Sequence, residues 1–248
     1  MEQDGKRRAS RRELLRGVAL LALSGAVFAG APPLVLPAAA DSRPAPEGKP
    51  QLTPDAALQE VMDGNARFVA GTSRAHEQDL AILKARAAEG QWPVVGILAC
   101  ADSRVPVEMV FDEPIGRLFV TRIAGNIATP EIIASLEYGV AVLGIKALVV
   151  MGHSDCGAVK SAIKNPEVPG QISALFPAIL PAVYLSKTRE LEDVVRTNAT
   201  VQAATLMNAS TVVEAAVKAG ALKVVPAVYD VGTGKVELLS VPSMLRAG

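Results

Sequence analysis

Three short apolar runs constrain this fold more than any other feature of the sequence. They are "VVGILA" at 94–99, "LFVTR" at 118–122 and "KALVVMG" at 146–152. Each is too short for a buried helix and rich in β-branched residues, and none shows the polar alternation of a half-exposed strand. Such runs form strands buried on both faces, as in a parallel sheet covered by helices on each side. The segments around them have helical spacing. Residues 54–70 predict a helix with a weak point at Gly64, and 77–90 a second that ends at Gly90. Pro130 suits the first turn of a third helix, over 130–144. A long helical region spans "TRELEDVVRTNATVQAATLMNAS" and "STVVEAAVKAG". Near the C-terminus, "ALKVVPAVYDVGTGKVELLS" predicts two strands joined by a "VGTG" turn. The expected class is therefore α/β: a mixed sheet with a parallel core, flanked by helices.

The first forty residues follow another grammar. A basic stretch, "MEQDGKRRASRRELLRG", precedes an apolar run that ends in Ala38-Ala39-Ala40. This is the pattern of a cleaved secretory signal. Arg11 and Arg12, with Arg16 after them, resemble a twin-arginine signal, which carries folded proteins. The apolar run is broken by Gly17, Ser24, Gly25, Gly30 and Pro32-Pro33, which argues against a permanent membrane span. The organisation expected is a signal over 1–40, a flexible Pro-rich lead-in over 41–53 and one catalytic domain over 54–248, located in the periplasm or secreted. Removal of 1–40 takes away six basic and three acidic residues, so the mature chain is mildly acidic. No basic block follows residue 20, which excludes a nucleic-acid partner.

The chain has two cysteines and two histidines among 248 residues. Cys100 ends one predicted strand, while His153 and Cys156 end another. In open α/β sheets, sites form beyond the carboxyl ends of strands. Two thiolates and an imidazole suit zinc and leave a fourth position for water or a carboxylate. Asp102 is near enough in sequence to serve there, and Arg104 can hold it ionised. Other readings stand beside this one on the residues alone. Cys100 and Cys156 can form a disulfide in an exported protein or sit as inert core thiols. His153 can be a satisfied polar residue, and Asp102 and Asp155 can be helix N-caps.

The pattern resembles the β-class carbonic anhydrases. Their Cys-x-Asp-x-Arg segment is similar to "CADSR" at 100–104, and their His-x-x-Cys segment to "HSDC" at 153–156, about fifty residues later. The likeness extends through "GNARF" at 64–68, "LFVTRIAGN" at 118–126, "SLEYGVAVLGIKALVVMGHSDCGAV" at 135–159 and "YDVGTGKVELL" at 229–239. It implies one Zn2+ per chain on Cys100, His153 and Cys156, with Asp102 and Arg104 as a catalytic pair. It also implies a substrate pocket containing Gln91, contributed across a dimer interface, with Phe119, Tyr138 and Gly157, whose N–H helps orient substrate. Without the resemblance, Gln91 reads as an exposed loop residue, and Phe119 and Tyr138 as core.

The implied reaction is the hydration of carbon dioxide to bicarbonate and a proton. Zinc acidifies water, and the hydroxide, oriented by the Asp102–Arg104 pair, attacks CO2. In a closed state of the family Asp102 itself binds zinc. Ile97 stands three residues before Cys100, where some bacterial members carry the tryptophan of an inhibitory bicarbonate pocket. An open site with Asp102 on Arg104 is therefore expected. His76 reads as a surface residue. The resemblance also implies a homodimer or a dimer of dimers. The alternatives are a CS2 or COS hydrolase on the same scaffold, or a non-catalytic zinc or redox protein. The sequons at Asn198 and Asn208 match glycosylation sites, a match without meaning behind a bacterial-type signal.

Overall fold

The structure is a computed structural model, which describes residues 52–74, 79–87, 90–242 and 245. The proposed signal, almost all of the lead-in and His76 lie outside the described residues. Helix α1 (Pro54–Val69) starts at Thr53, whose hydroxyl accepts from the Ala56 amide at 3.2 Å, with Pro54 in its first turn. After α2 (Asp79–Arg86) come β1 (Val95–Ala99), the short α3 (Val107–Val110) and β2 (Leu118–Arg122). The chain continues through α4 (Pro130–Ala141), β3 (Ala147–His153), α5 (Gly157–Lys164) and α6 (Phe176–Leu185). The long α7 (Leu191–Ala209), α8 (Thr211–Lys218), β4 (Lys223–Tyr229) and β5 (Val236–Leu238) complete it.

The strands lie in the order β2-β1-β3-β4-β5, parallel except for β5, which pairs antiparallel with β4 at one edge. Every residue of β1 and β3 is buried, as their unbroken apolar runs require. Alternate strand residues feed two cores. Ile97, Ala99, Val149 and Met151 pack with Ala57, Leu58 and Val61 of α1. Leu98, Leu148 and Val150 pack with Leu136 of α4, Leu206 of α7 and Val213 of α8. A third cluster, at one end of the sheet, joins Val159, Ile179 and Val195 around Cys100 and Cys156.

From β1 the chain moves to β2 on one side, then crosses to β3 on the other. The crevice between the carboxyl ends of β1 and β3 is thus the topological switch point. All five expected strands form, and the predicted hairpin closes through Asp230, whose carboxylate accepts from Gly232 and Thr233, each at 2.8 Å. Sequence patterning left α3, α5 and α6 unassigned. Helix α6 contains Pro181 and is apolar on nearly every side, so it offers neither clean periodicity nor unbroken helix formers.

Gly64 is the apparent weak point of α1, yet the helix runs through it without a break. A Cβ there would fall inside the Phe111 carbonyl, because α1 and the end of α3 touch backbone to backbone. Gly64→Ala sets two effects against each other: about 1 kcal/mol gained in helix propensity and an overpacking cost of about 1–3 kcal/mol. The carbonyl is backbone and cannot swing aside, so net destabilisation is expected, as a fall in the urea midpoint. An unchanged or raised midpoint would refute the close-approach account.

Candidate metal centre

Cys100 follows the last residue of β1, His153 is the last residue of β3, and Cys156 caps the start of α5. The β1–β3 register pairs Ala99 with Met151, which brings the two strand ends side by side. One ligand atom from each of Cys100, His153 and Cys156 lies within 4.8 Å of the others. All three residues are buried and both thiols are free. His153 is fully buried, and its Nε2 has no hydrogen-bond partner, while its Nδ1 lies 2.9 Å from the Ser154 carbonyl. That arrangement leaves the Nε2 lone pair aimed at the sulfurs. An orphaned buried nitrogen beside two buried thiols is costly by itself and fits a divalent metal of the zinc type.

The Cys156 hydrogen bond pulls Cys100 down to about 4 against the opposing effect of burial, helped by His153 and by the amides of Gly125 and Asp102. Cys156 is pushed up by the Cys100 hydrogen bond and by burial, while the Val159 and Ala158 amides at the start of α5 oppose the rise. Burial pulls the His153 pKa down, but the charge of the adjacent Cys100 sulfur outweighs it and leaves that pKa raised.

Asp102 sits beside this group, with Oδ2 3.9 Å from His153 Nε2. Arg104 grips both of its carboxylate oxygens: Nε donates to Oδ1 at 3.0 Å and Nη2 to Oδ2 at 2.8 Å, while the Arg104 amide donates to Oδ1 at 2.9 Å. This fork holds the carboxyl well below the usual carboxylate range. The expected pairing of Asp102 with Arg104 is thus the geometry found.

Neither aspartate is a helix cap. Asp155 has a left-handed backbone at φ +54°, accepts from Lys160 at 2.6 Å and lies 3.4 Å from Arg104 Nη1. Arg122, which sequence reasoning did not single out, donates to the Cys100 carbonyl at 2.9 Å and to the Asp102 carbonyl at 2.5 Å. Its pairing opposite Ala99 in the β1–β2 register puts it there, a signal visible only once the strands are aligned.

The expected pocket residues divide. Gln91 and Tyr138 line one cavity of about 370 Å³ with Trp92, Leu83 and Ile115. The metal-type ligands are not among its lining residues. Phe119 lies against Tyr138, with ring centroids 6.4 Å apart. Helix periodicity alone puts Tyr138 in the core, but it is 47% exposed. Gly157 opens α5, and a Cβ there would meet nothing within 4 Å, so packing does not demand glycine. Of the two sequon asparagines, Asn198 is fully buried.

Three buried side chains that could hold a metal ion, at the switch point of a parallel sheet with an ionised carboxylate beside them, have the outline of an α/β enzyme site. The family model for carbonic anhydrase matches residues 95–236. A carbonic anhydrase of Mycolicibacterium smegmatis is 36% identical over 200 residues, covering 77% of this chain and 96% of that protein. Carbonic anhydrase 2 of Mycobacterium tuberculosis is 33% identical over 196 residues, covering 76% and 94%. The crystal structure of the β-carbonic anhydrase CafA of Aspergillus fumigatus superposes with a TM-score of 0.58 at 26% identity, over 76% of this chain and 94% of that one. The chain belongs to the carbonic anhydrase family, in its β class.

The Asp102–Arg104 fork generates a prediction. Arg104→Ala is expected to keep the bound metal but lower kcat/KM for CO2 hydration by about 10–100-fold, the usual cost of losing a partner that orients a group at a metal. Arg104→Lys should recover only part of this, since one ammonium cannot grip both oxygens. Stopped-flow hydration beside metal analysis checks it, and full activity in Arg104→Ala would refute the orienting role.

Proposed function

We propose that this chain catalyses the reversible hydration of carbon dioxide to bicarbonate and a proton, at a zinc ion held by Cys100, His153 and Cys156. The observation that carries this reading is the buried Cys–His–Cys group, with its unpartnered His153 Nε2, beside the Asp102–Arg104 fork. When bound, zinc supplies Lewis acidity that brings water's pKa from about 16 to near neutrality.

The chain's own residues do the rest. Asp102, kept ionised by Arg104, can accept a hydrogen bond but cannot donate one. It therefore orients the attacking water with a lone pair free for the carbon of CO2. Arg122 fixes the backbone carbonyls at Cys100 and Asp102, so ligand and carboxylate keep one spacing. Phe119 and Tyr138 supply apolar surface for a linear, uncharged substrate, and the Gly157 amide is open to it. Gln91 joins the pocket from a second copy.

That assembly is supported by the surface around Gln91. Leu83, Ile115 and Tyr138 are exposed there at 49%, 38% and 47%, an apolar patch that association would cover. We take the active form to be a dimer or a dimer of dimers. Among the described residues, no helix is long and apolar enough to cross a membrane. The twin-arginine-like Arg11-Arg12 pair and the Ala38-Ala39-Ala40 segment support export to the periplasm, leaving residues 41–53 as a lead-in to the 54–248 domain. Export of the folded chain would protect both thiols, because each is already committed to zinc.

Two experiments test this. Protein purified without chelator should hold one zinc per chain and hydrate CO2 rapidly, whereas Cys156→Ser should lose both metal and activity. Zinc-free protein with oxidised thiols would overturn the reading. The exported form should begin near Asp41, and Arg11→Lys with Arg12→Lys should leave the full-length chain in the cytoplasm. Export that survives the double substitution would remove the twin-arginine route.

A further inference from the structure

Helix α7 carries two amide side chains in its buried stretch. Asn198 is fully buried and Gln202, one turn later, is 2% exposed. Their neighbours in the same stretch are Val194, Val195, Ala199 and Ala203, all buried. Buried amides in such surroundings are costly unless each polar atom is partnered, and apolar residues of the same shape stabilise a core as well or better. Their presence calls for a task that an apolar side chain could not perform.

Their hydrogen bonds identify it. Asn198 Nδ2 donates to the Gly125 carbonyl at 2.9 Å. Gln202 Oε1 accepts from the Ala128 amide at 2.9 Å. Gln202 Nε2 donates to Asn198 Oδ1 at 3.1 Å and to the Ala178 carbonyl of α6 at 2.8 Å. The two amides thus lock each other and pin the β2–α4 loop at two points.

That loop reaches the metal group. The Gly125 amide donates to Cys100 Sγ at 3.3 Å. Gly125 and Asn126 both have left-handed backbones, at φ +78° and +43°, a turn that points the Gly125 N–H at the sulfur. On its other side the loop packs closely on α6, where a Cβ at Gly125 would lie 2.8 Å from Ile179 Cδ1. An N–H donated to a thiolate favours its charged form and fixes its direction.

We infer that Asn198 and Gln202 are positioning residues for the metal site, holding the Gly125 amide against the Cys100 sulfur from a helix that touches neither metal nor substrate. The inference rests on the proposed zinc site and deepens it. It assigns α7 a role in metal affinity.

The test is zinc affinity, measured on the full chain by competition with a chromophoric chelator, with thermal melts of the same samples. Asn198→Ala should bind zinc about 10–100-fold more weakly than the parent. Thr205→Ala is the control: its hydroxyl donates to the Val201 carbonyl of the same helix, and it should keep the parent's affinity. Should Asn198→Ala fail to fold, Gln202→Met, which leaves the Asn198–Gly125 bond in place, is measured instead, with about a tenfold loss expected. A folded variant with a lowered melting temperature but zinc affinity within about twofold of the parent would overturn the inference and leave both amides merely structural. A parent that binds no zinc would instead overturn the proposed function, so the two failures are distinguishable.

Discussion

Strand β1 has a strand on each side, and the chain reaches those two neighbours in opposite directions. Everything chemical in the molecule depends on that arrangement. Two parallel strands bonded in register end at the same level, so the residues just past Ala99 and Met151 face one crevice. No helix can cover the crevice, because the connections leave it on opposite sides. Cys100 and His153 come from there, and α5 turns back at once to bring in Cys156. A one-residue slip of β1 against β3 would send the alternate residues Leu98 and Ala99 to the wrong cores and separate the ligands in the same step. Hydrophobic packing and site geometry are thus enforced by the same register.

Around that crevice, charge is arranged in layers. The ligands are buried, whereas Asp102 beside them is gripped by a guanidinium fork. Arg104 in turn touches Asp155, and Asp155 touches Lys160. The two pairs that Asp155 makes are about half exposed on both sides, so they stabilise little and serve mainly to limit the positions open to Arg104. Metal binding to such a preformed group is coupled to folding, since the unfolded chain has no equivalent site.

The strands were legible in the sequence because a parallel strand buried on both faces leaves an unbroken apolar run, a pattern that a half-exposed strand or a surface helix does not produce. Cys100, His153, Cys156, Asp102 and Arg104 were legible too, since cysteine and histidine are so scarce that their grouping at strand ends stood out. Helix α6 was hidden by Pro181 and by apolar residues on all sides. Without the resemblance Tyr138 reads as core, yet it is exposed, because periodicity locates the face of a helix but not what lies opposite it.

The sequence by itself determined the α/β class and the strand ends that bear Cys100, His153 and Cys156. These follow from local rules: residue type, run length and spacing along the chain. Only the tertiary structure decided that Arg122 braces the Cys100 and Asp102 carbonyls, and that Asn198 and Gln202 hold the loop whose amide meets Cys100. Those residues lie more than twenty, and up to about a hundred, positions from the cysteine they serve. Hydrogen bonds across such separations exist only after strands are paired and helices packed, and neither composition nor periodicity encodes which buried amide will face which carbonyl.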